Sequence, residues 1–217
     1  LAATDQMLDS PTNNFATWNP LNQANAVLTE GNLKGVLSGD AGVKGTILIP
    51  ETGKWYWEVN MVDVGINTCP GIVDDTTAGV GNGVLGTIGR FGYRSFNGQT
   101  QGDGGAAAYG DSFTDGDIIG VAFDVDNEAL YFSKNGTWQN SGDPTSGASK
   151  TGAAFTTTIG NYSNYVPYGQ RAADPTIFII NFGQDSSFAG DKTSGSAAAS
   201  DGNSIGDFYY TPPSGFL

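Results

Sequence analysis

The 217-residue chain has no histidine, one cysteine, two methionines, four glutamates, and nine basic residues against twenty-two acidic ones. Each shortage removes a class of chemistry. Without histidine there is no Ser-His-Asp or Cys-His nucleophile and no His-based zinc site. Cys69 has no intrachain partner for a disulfide, and, set beside Pro70 in an expected loop, it reads as an incidental thiol. The net charge of −13 repels phosphate, so neither nucleic acid nor an anionic membrane surface is an expected partner. Membrane insertion is not expected either, because the longest apolar run, residues 177–180, is far too short to span a bilayer.

What is present is turn chemistry and strand formers. Thirty-three glycines, with abundant Asn, Ser and Thr, favour a turn-rich β protein over helices. The length suits one large all-β domain.

Residues 109–136 (YGDSFTDGDIIGVAFDVDNEALYFSKNG) carry the clearest pattern. After the polar cluster Thr114, Asp115, Gly116 and Asp117, residues Ile119, Val121, Phe123 and Val125 share one face at period two. The other face, Ile118, Gly120 and Ala122, is also apolar or small, which predicts a strand covered on both sides. Asp126, Asn127 and Glu128 reverse the chain, Leu130 and Phe132 resume the inward face, and Asn135-Gly136 is a strong hairpin signal. Upstream, Trp55, Trp57, Val59 and Met61 alternate with Lys54, Tyr56, Glu58 and Asn60, so the tryptophans read as core. Strands are also expected at 46–49, 90–96 and 177–182. The sequence predicts loops at 69–87, around a short strand, and at 105–108, 140–151 and 160–174.

These residues resemble the SPRY domain family. Its turn with Gly-Asp is matched by Gly116-Asp117, its strand by 118–123, its Asp-x-Asp turn by Asp124-Val125-Asp126, and its closing Lys-Asn-Gly by Lys134-Asn135-Gly136. Two further blocks agree in order, 53–59 (GKWYWEV) and 180–183 (INFG). The resemblance covers about residues 53–188. It implies a bent antiparallel β-sandwich of the concanavalin A-like jelly-roll type, used as a binding module without catalysis. The flanking stretches 8–15, 30–33, 134–144 and 209–216 are similar to SPRY-containing structural or tail-fibre proteins of tailed bacteriophages. That similarity implies a virion-surface location and a host-surface glycan or protein as partner, or neighbouring virion subunits, including a homo-oligomer.

Three segments are expected. Residues 1–26 form an irregular lead-in packed on the domain, with Phe15, Trp18 and Leu21 as anchors, and strands begin near Val27. Residues 27–188 form the sandwich. Residues 189–217 form a Gly/Ser/Ala-rich tail that returns to the domain or leads to a further one, and the ends at Leu1 and Leu217 suggest a piece of a longer protein.

The chemistry left open is narrow. Two-carboxylate glycoside hydrolysis is the remaining enzymatic class, but Glu30, Glu51, Glu58 and Glu128 lack the partners of a Glu-x-Asp-x-x-Glu strand. Asp124 and Asp126 share a strand face, where turn amides are their natural partners. Gly81, Gly83 and Gly86 spell GxGxxG without a following helix. Asp74-Asp75 and Asp111, Asp115, Asp117 form no repeated calcium ladder, and they read as solvated loop carboxylates. No cofactor or metal is expected.

The candidate binding residues are aromatic and guanidinium groups placed in loops. Trp138 follows the Asn135-Gly136 turn, and Tyr162, Tyr165, Tyr168 and Arg171 crowd one segment. Exposed rings beside amides grip sugars or peptides at low entropic cost. The alternative is that they cover a sheet edge or a neighbouring chain. The SPRY resemblance adds Tyr93, Arg94 and Asn97 at a rim.

Overall fold

The structure is a computed structural model that describes residues 14–77, 89–156, 159–171, 175–193 and 199–217. Among these there is no α-helix. Twelve strands form one curled antiparallel sheet: β1 (Trp18–Thr29), β2 (Lys34–Gly45), β3 (Lys54–Asp63), β4 (Cys69–Asp74), β5 (Arg90–Tyr93), β6 (Gln99–Gly102), β7 (Gly105–Ala108), β8 (Ile118–Asp124), β9 (Ala129–Lys134), β10 (Thr137–Trp138), β11 (Tyr165–Arg171) and β12 (Thr176–Asn181). Their order is β10-β9-β8-β3-β12-β2-β11-β4-β5-β6-β7, with β1 against β2.

The curl comes from β2. Its first half pairs with β12, Lys34 to Leu37 against Ile179 to Thr176, and its second half with β11, Ala41 to Lys44 against Arg171 to Tyr168. β11 and β12 thus act as one interrupted strand along β2. The sheet folds over there, and rings from the two halves meet: Phe123 of β8 lies edge-on to Tyr165 of β11 at 5.5 Å, and Phe132 of β9 stacks on Tyr93 of β5 at 5.5 Å. This is the expected bent sandwich.

The best-patterned strands appear as the alternation predicts. Trp57, Val59 and Met61 enter the main core with Ile119, Val121, Phe123, Leu130 and Phe132. The β9–β10 turn is two residues, Asn135 and Gly136, both at positive φ (50° and 77°), the twist-matching geometry of an Asn-Gly hairpin.

Several expectations need correction. Strands begin at Trp18, well before Val27; Trp18 is buried against Phe178, but Leu21 is 95% exposed and anchors nothing. Residues 46–49 are an irregular loop with Ile47 and Leu48 exposed. Cys69 sits in strand β4, buried, and burial pushes its thiol up to about 12. Residues 105–108 form strand β7, since the turn from Gly102 to Gly105 returns the chain onto β6. The expected loop 160–174 contains all of β11. Pro167 hides this strand in the sequence, because mid-strand proline removes a ladder donor. The β2 ladder reaches only Tyr168, so the Pro167 ring lies beyond its end against Gly45. The GxGxxG at 81–86 lies outside the described residues.

The outer face of β3 is also covered. Tyr56, Ala122 and Tyr131 form a second cluster with Phe208 and Phe216. Where the β12 ladder ends at Asn181 and Glu58, the carboxyl-terminal residue takes over: Tyr56 N–H donates to Leu217 O (2.8 Å) and Leu217 N–H to Lys54 O (2.9 Å). Glu58 is fully buried beneath this segment. Its Oε1 accepts from Tyr210 N–H (2.8 Å) and the Tyr56 hydroxyl (2.9 Å), and its Oε2 from Tyr209 N–H (2.8 Å) and Asn181 Nδ2 (3.4 Å). Desolvation raises its pKa from 4.5 to about 7, outweighing the donors that lower it.

The folded chain therefore binds a proton at Glu58 between about 4.5 and 7 where the unfolded chain does not. The associated stability is fully present below the lower value and is lost as pH rises through the upper one. We expect the wild-type Tm to fall across this window and the Glu58→Gln variant to show a flatter profile; a wild-type Tm that rises there would contradict the assignment.

Candidate functional site

The curled sheet presents loops at two ends. At one, Arg94 donates from Nη2 to Asn67 Oδ1 (2.5 Å), and Asn97 from Nδ2 to Gln99 Oε1 (2.7 Å), beside the exposed Phe96. At the other lie the loop 46–53, the β8–β9 turn, the turn after Ile159 and the start of β11.

The loop 46–53 is anchored at both ends. Ile49 N–H donates to Tyr165 O (2.7 Å) and Val125 N–H to Gly53 O (3.0 Å). Gly53 N–H donates to Asp126 Oδ1 (2.8 Å), and the Trp55 indole N–H to Thr52 O (3.0 Å). So fixed, it is a ridge between two concavities that share Ile49 and Pro50. On one side is an open cleft of about 250 Å³ with Phe123, Tyr162 and Tyr165 as walls and Glu51 and Glu128 among its lining. On the other is an apolar groove of about 410 Å³ lined by Ile47, Leu48, Trp55, Pro167, Phe182 and Ile205, among others. Tyr162 is locked in place: its hydroxyl donates to Asp103 Oδ2 at 2.5 Å, and the loss of that bond on ionisation raises its pKa to about 12.

The eight residues singled out from the sequence do not converge. Tyr93, Tyr165, Tyr168 and Arg171 are buried, the opposite of the exposure expected of them. For Tyr165, Tyr168 and Arg171 the reason is that β11 is a strand covered on both faces, Tyr93 lies on the equally buried β5, and each polar end finds a partner within the fold. The Tyr165 hydroxyl donates to Ile159 O (2.6 Å), the Tyr93 hydroxyl to the Asp111 carbonyl, and the Arg171 Nη1 to the Gly39 carbonyl; the Tyr168 ring faces the Arg90 guanidinium at 5.5 Å. Trp138 is half-buried on the outer face, edge-on to Tyr56 at 6.4 Å, and does not reach the cleft lining. Arg94 and Asn97 are at the far end. Only Tyr162, with Tyr165 behind it, belongs to the cleft. The sequence reading did not place Ile47, Leu48, Glu51 or Glu128 in a binding site; the signal available was the apolar run Ile47-Leu48-Ile49 stopped by Pro50, which also fits a short strand.

The carboxylates weighed for catalysis or calcium binding are committed elsewhere. Asp124 is buried, paired with Lys54 at 2.9 Å and accepting from Asn127 N–H and Nδ2. Asp126 holds Gly53. Asp117 accepts from Thr114 N–H and Asn135 Nδ2 and pairs with Lys134 at 3.3 Å, and Asp115 accepts from Val64 N–H. These are turn-holding roles.

A bent antiparallel sandwich whose polar side chains secure turns, with paired concavities at one rim, is the build of a binding scaffold. The SPRY domain family matches residues 54–164, and the chain belongs to that family. The match stops short of β11 and β12, which complete the same sandwich. Among solved structures, the SPRY domain of human HERC1 superimposes with a TM-score of 0.61 at 17% identity, covering 75% of this chain and 96% of that one; this likeness is one of fold. No curated protein sequence matches. SPRY domains are protein-interaction modules.

The burial pattern has a direct test in chemical denaturation. Tyr165→Ala should cost about 3–5 kcal/mol, as for other buried aromatic truncations. Asn97→Ala, at an exposed loop, should stay within about 0.5 kcal/mol. Equal effects would place Tyr165 outside the core.

Proposed function

We propose that this chain is a non-catalytic binding module that engages a partner through the rim built around residues 46–53, as part of a virion-surface or tail-fibre protein that recognises a host-surface component. One observation carries the choice of rim. The ridge holds Leu48 at 47% and Ile47 at 39% exposure between two concavities, although its backbone is anchored at both ends. Rigid apolar surface kept in water at a loop end favours association with little ordering cost. The virion setting is supported by the phage-like flanking stretches alone. SPRY family membership supports a protein partner over a glycan.

A second reading, docking of a neighbouring virion subunit, draws support from Leu21 and Val27, exposed at 95% and 64% on strand β1, which among the described residues pairs with β2 alone. Covering them between copies would bury apolar area without using the rim.

Binding of the purified chain to host-envelope preparations and to a glycan array separates these. The rim reading expects retention by an envelope protein, weakened at least about tenfold by Leu48→Asp, a loss of some 1.4 kcal/mol, and unchanged by Leu21→Asp. Failure of the purified chain to bind in any oligomeric form, or the reverse pattern of variants, would overturn it.

A further inference from the structure

The two concavities flanking the ridge differ in chemistry, and the difference specifies a ligand. The groove side is apolar, walled by Ile47, Leu48, Trp55 and Ile205. The cleft side has an aromatic and aliphatic floor, Phe123, Ile159 and Tyr165, with two glutamates in its lining. Neither glutamate takes part in the three ion pairs found among the described residues. Glu128 is also positioned by backbone. It sits in the β8–β9 turn at φ 52°, with its carboxyl group lying against Gly160, where an added Cβ would come within 2.7 Å of Cδ. Only glycine leaves that carboxylate its place at the cleft wall.

More negative charge surrounds the same end. Asp103 holds Tyr162, Asp126 holds Gly53, and Asp74 accepts from Thr76. Two cations of this end are committed: Lys44 lies 3.2 Å from Asp75 and Lys54 lies 2.9 Å from Asp124. A concavity with a greasy floor and carboxylates at its wall fits a side chain that is aliphatic along its stem and cationic at its tip. The adjoining groove fits a bulky apolar side chain. An extended chain crossing the ridge would place neighbouring side chains into both.

We propose that the rim reads a linear peptide segment in which a lysine or arginine lies within a few residues of a leucine, isoleucine, methionine or aromatic residue, the cation entering the Glu51–Glu128 cleft and the apolar side chain the Leu48–Trp55 groove. The inference deepens the rim reading above and depends on it. It selects a peptide and not a sugar, and among peptides it excludes acidic ones, which the field of this end repels.

The test pans a displayed library of random linear peptides against the folded chain and against the Glu51→Gln/Glu128→Gln variant, both checked by thermal melting. Enriched peptides should carry the basic-plus-apolar pair, bind the double variant about tenfold more weakly, as loss of two partly screened ion pairs implies, and weaken as salt is raised. Gly160→Ala, which displaces Glu128, should weaken the same peptides with Glu51 intact. Enrichment of neutral or acidic peptides, affinity unchanged in the double variant, no enrichment at all, or glycan binding that depends on Glu51 and Glu128 would each overturn the proposal. Envelope binding separates the two readings: sensitivity to Leu48→Asp but not to the double Gln variant keeps the rim and removes the basic ligand, and insensitivity to both removes the rim.

Discussion

Phe178 sits where the sheet folds over itself. It pairs with Gly35 of β2, packs on Trp18 at 5.3 Å, and reaches the backbone of β11, where a Cβ on Gly169 would stand 2.6 Å from its ring. The two halves of the sheet can close around that ring only because β2 serves β12 with its first half and β11 with its second, and because Gly169 yields the space. Interiors are packed near crystal density, so a side chain at Gly169 would force the halves apart. The positions of β8 over β11 and of β5 under β9 all follow from this closure, and with them the rim loops.

The second constraint is polar. A sheet covered on both faces must satisfy the groups it buries, and several of the chain's carboxylates serve this and the turns around it. Glu58 gathers four donors from the sheet and the carboxyl-terminal segment, Asp124 and Asp126 hold the β8–β9 turn, and Asp117 closes the Asn135 hairpin. Carboxylates engaged in this way are poor catalysts, because their lone pairs already meet fixed donors. The two glutamates that line the cleft without such partners among the described residues, Glu51 and Glu128, are the ones placed where a second molecule could reach them.

How far the sequence could be read varied with local pattern. β3, β8 and β9 were legible because alternation, an Asp-rich reversal and an Asn-Gly turn all agree over consecutive residues. β11 was not. Its Pro167 and Gly169 argue against a strand locally, and both are tolerated for tertiary reasons, one lying past the end of the β2 ladder and the other making room for Phe178. Misreading that strand as a loop placed Tyr165, Tyr168 and Arg171 in solvent. The run 46–49 failed in the opposite sense: Ile47, Leu48 and Ile49 have strand composition, yet the run is tied to its neighbours only at its ends, Thr46 to Thr17 O and Ile49 to Tyr165 O. Tyr162 was within reach of sequence reasoning as an aromatic near a polar turn, but its pairing with Asp103, fifty-nine residues away, was not.

The sequence by itself determined the class of the protein: all-β, without histidine chemistry, acidic, with the SPRY hairpin and its turns written in consecutive residues. Those properties are local or compositional, and periodicity and turn propensity carry them without reference to the rest of the chain. Only the tertiary structure decided which aromatic rings are buried, which carboxylates are used up, and which loop stands exposed between two concavities. Each of those outcomes depends on what distant strands bring alongside, and the closure around Phe178 sets that at a range no local pattern encodes.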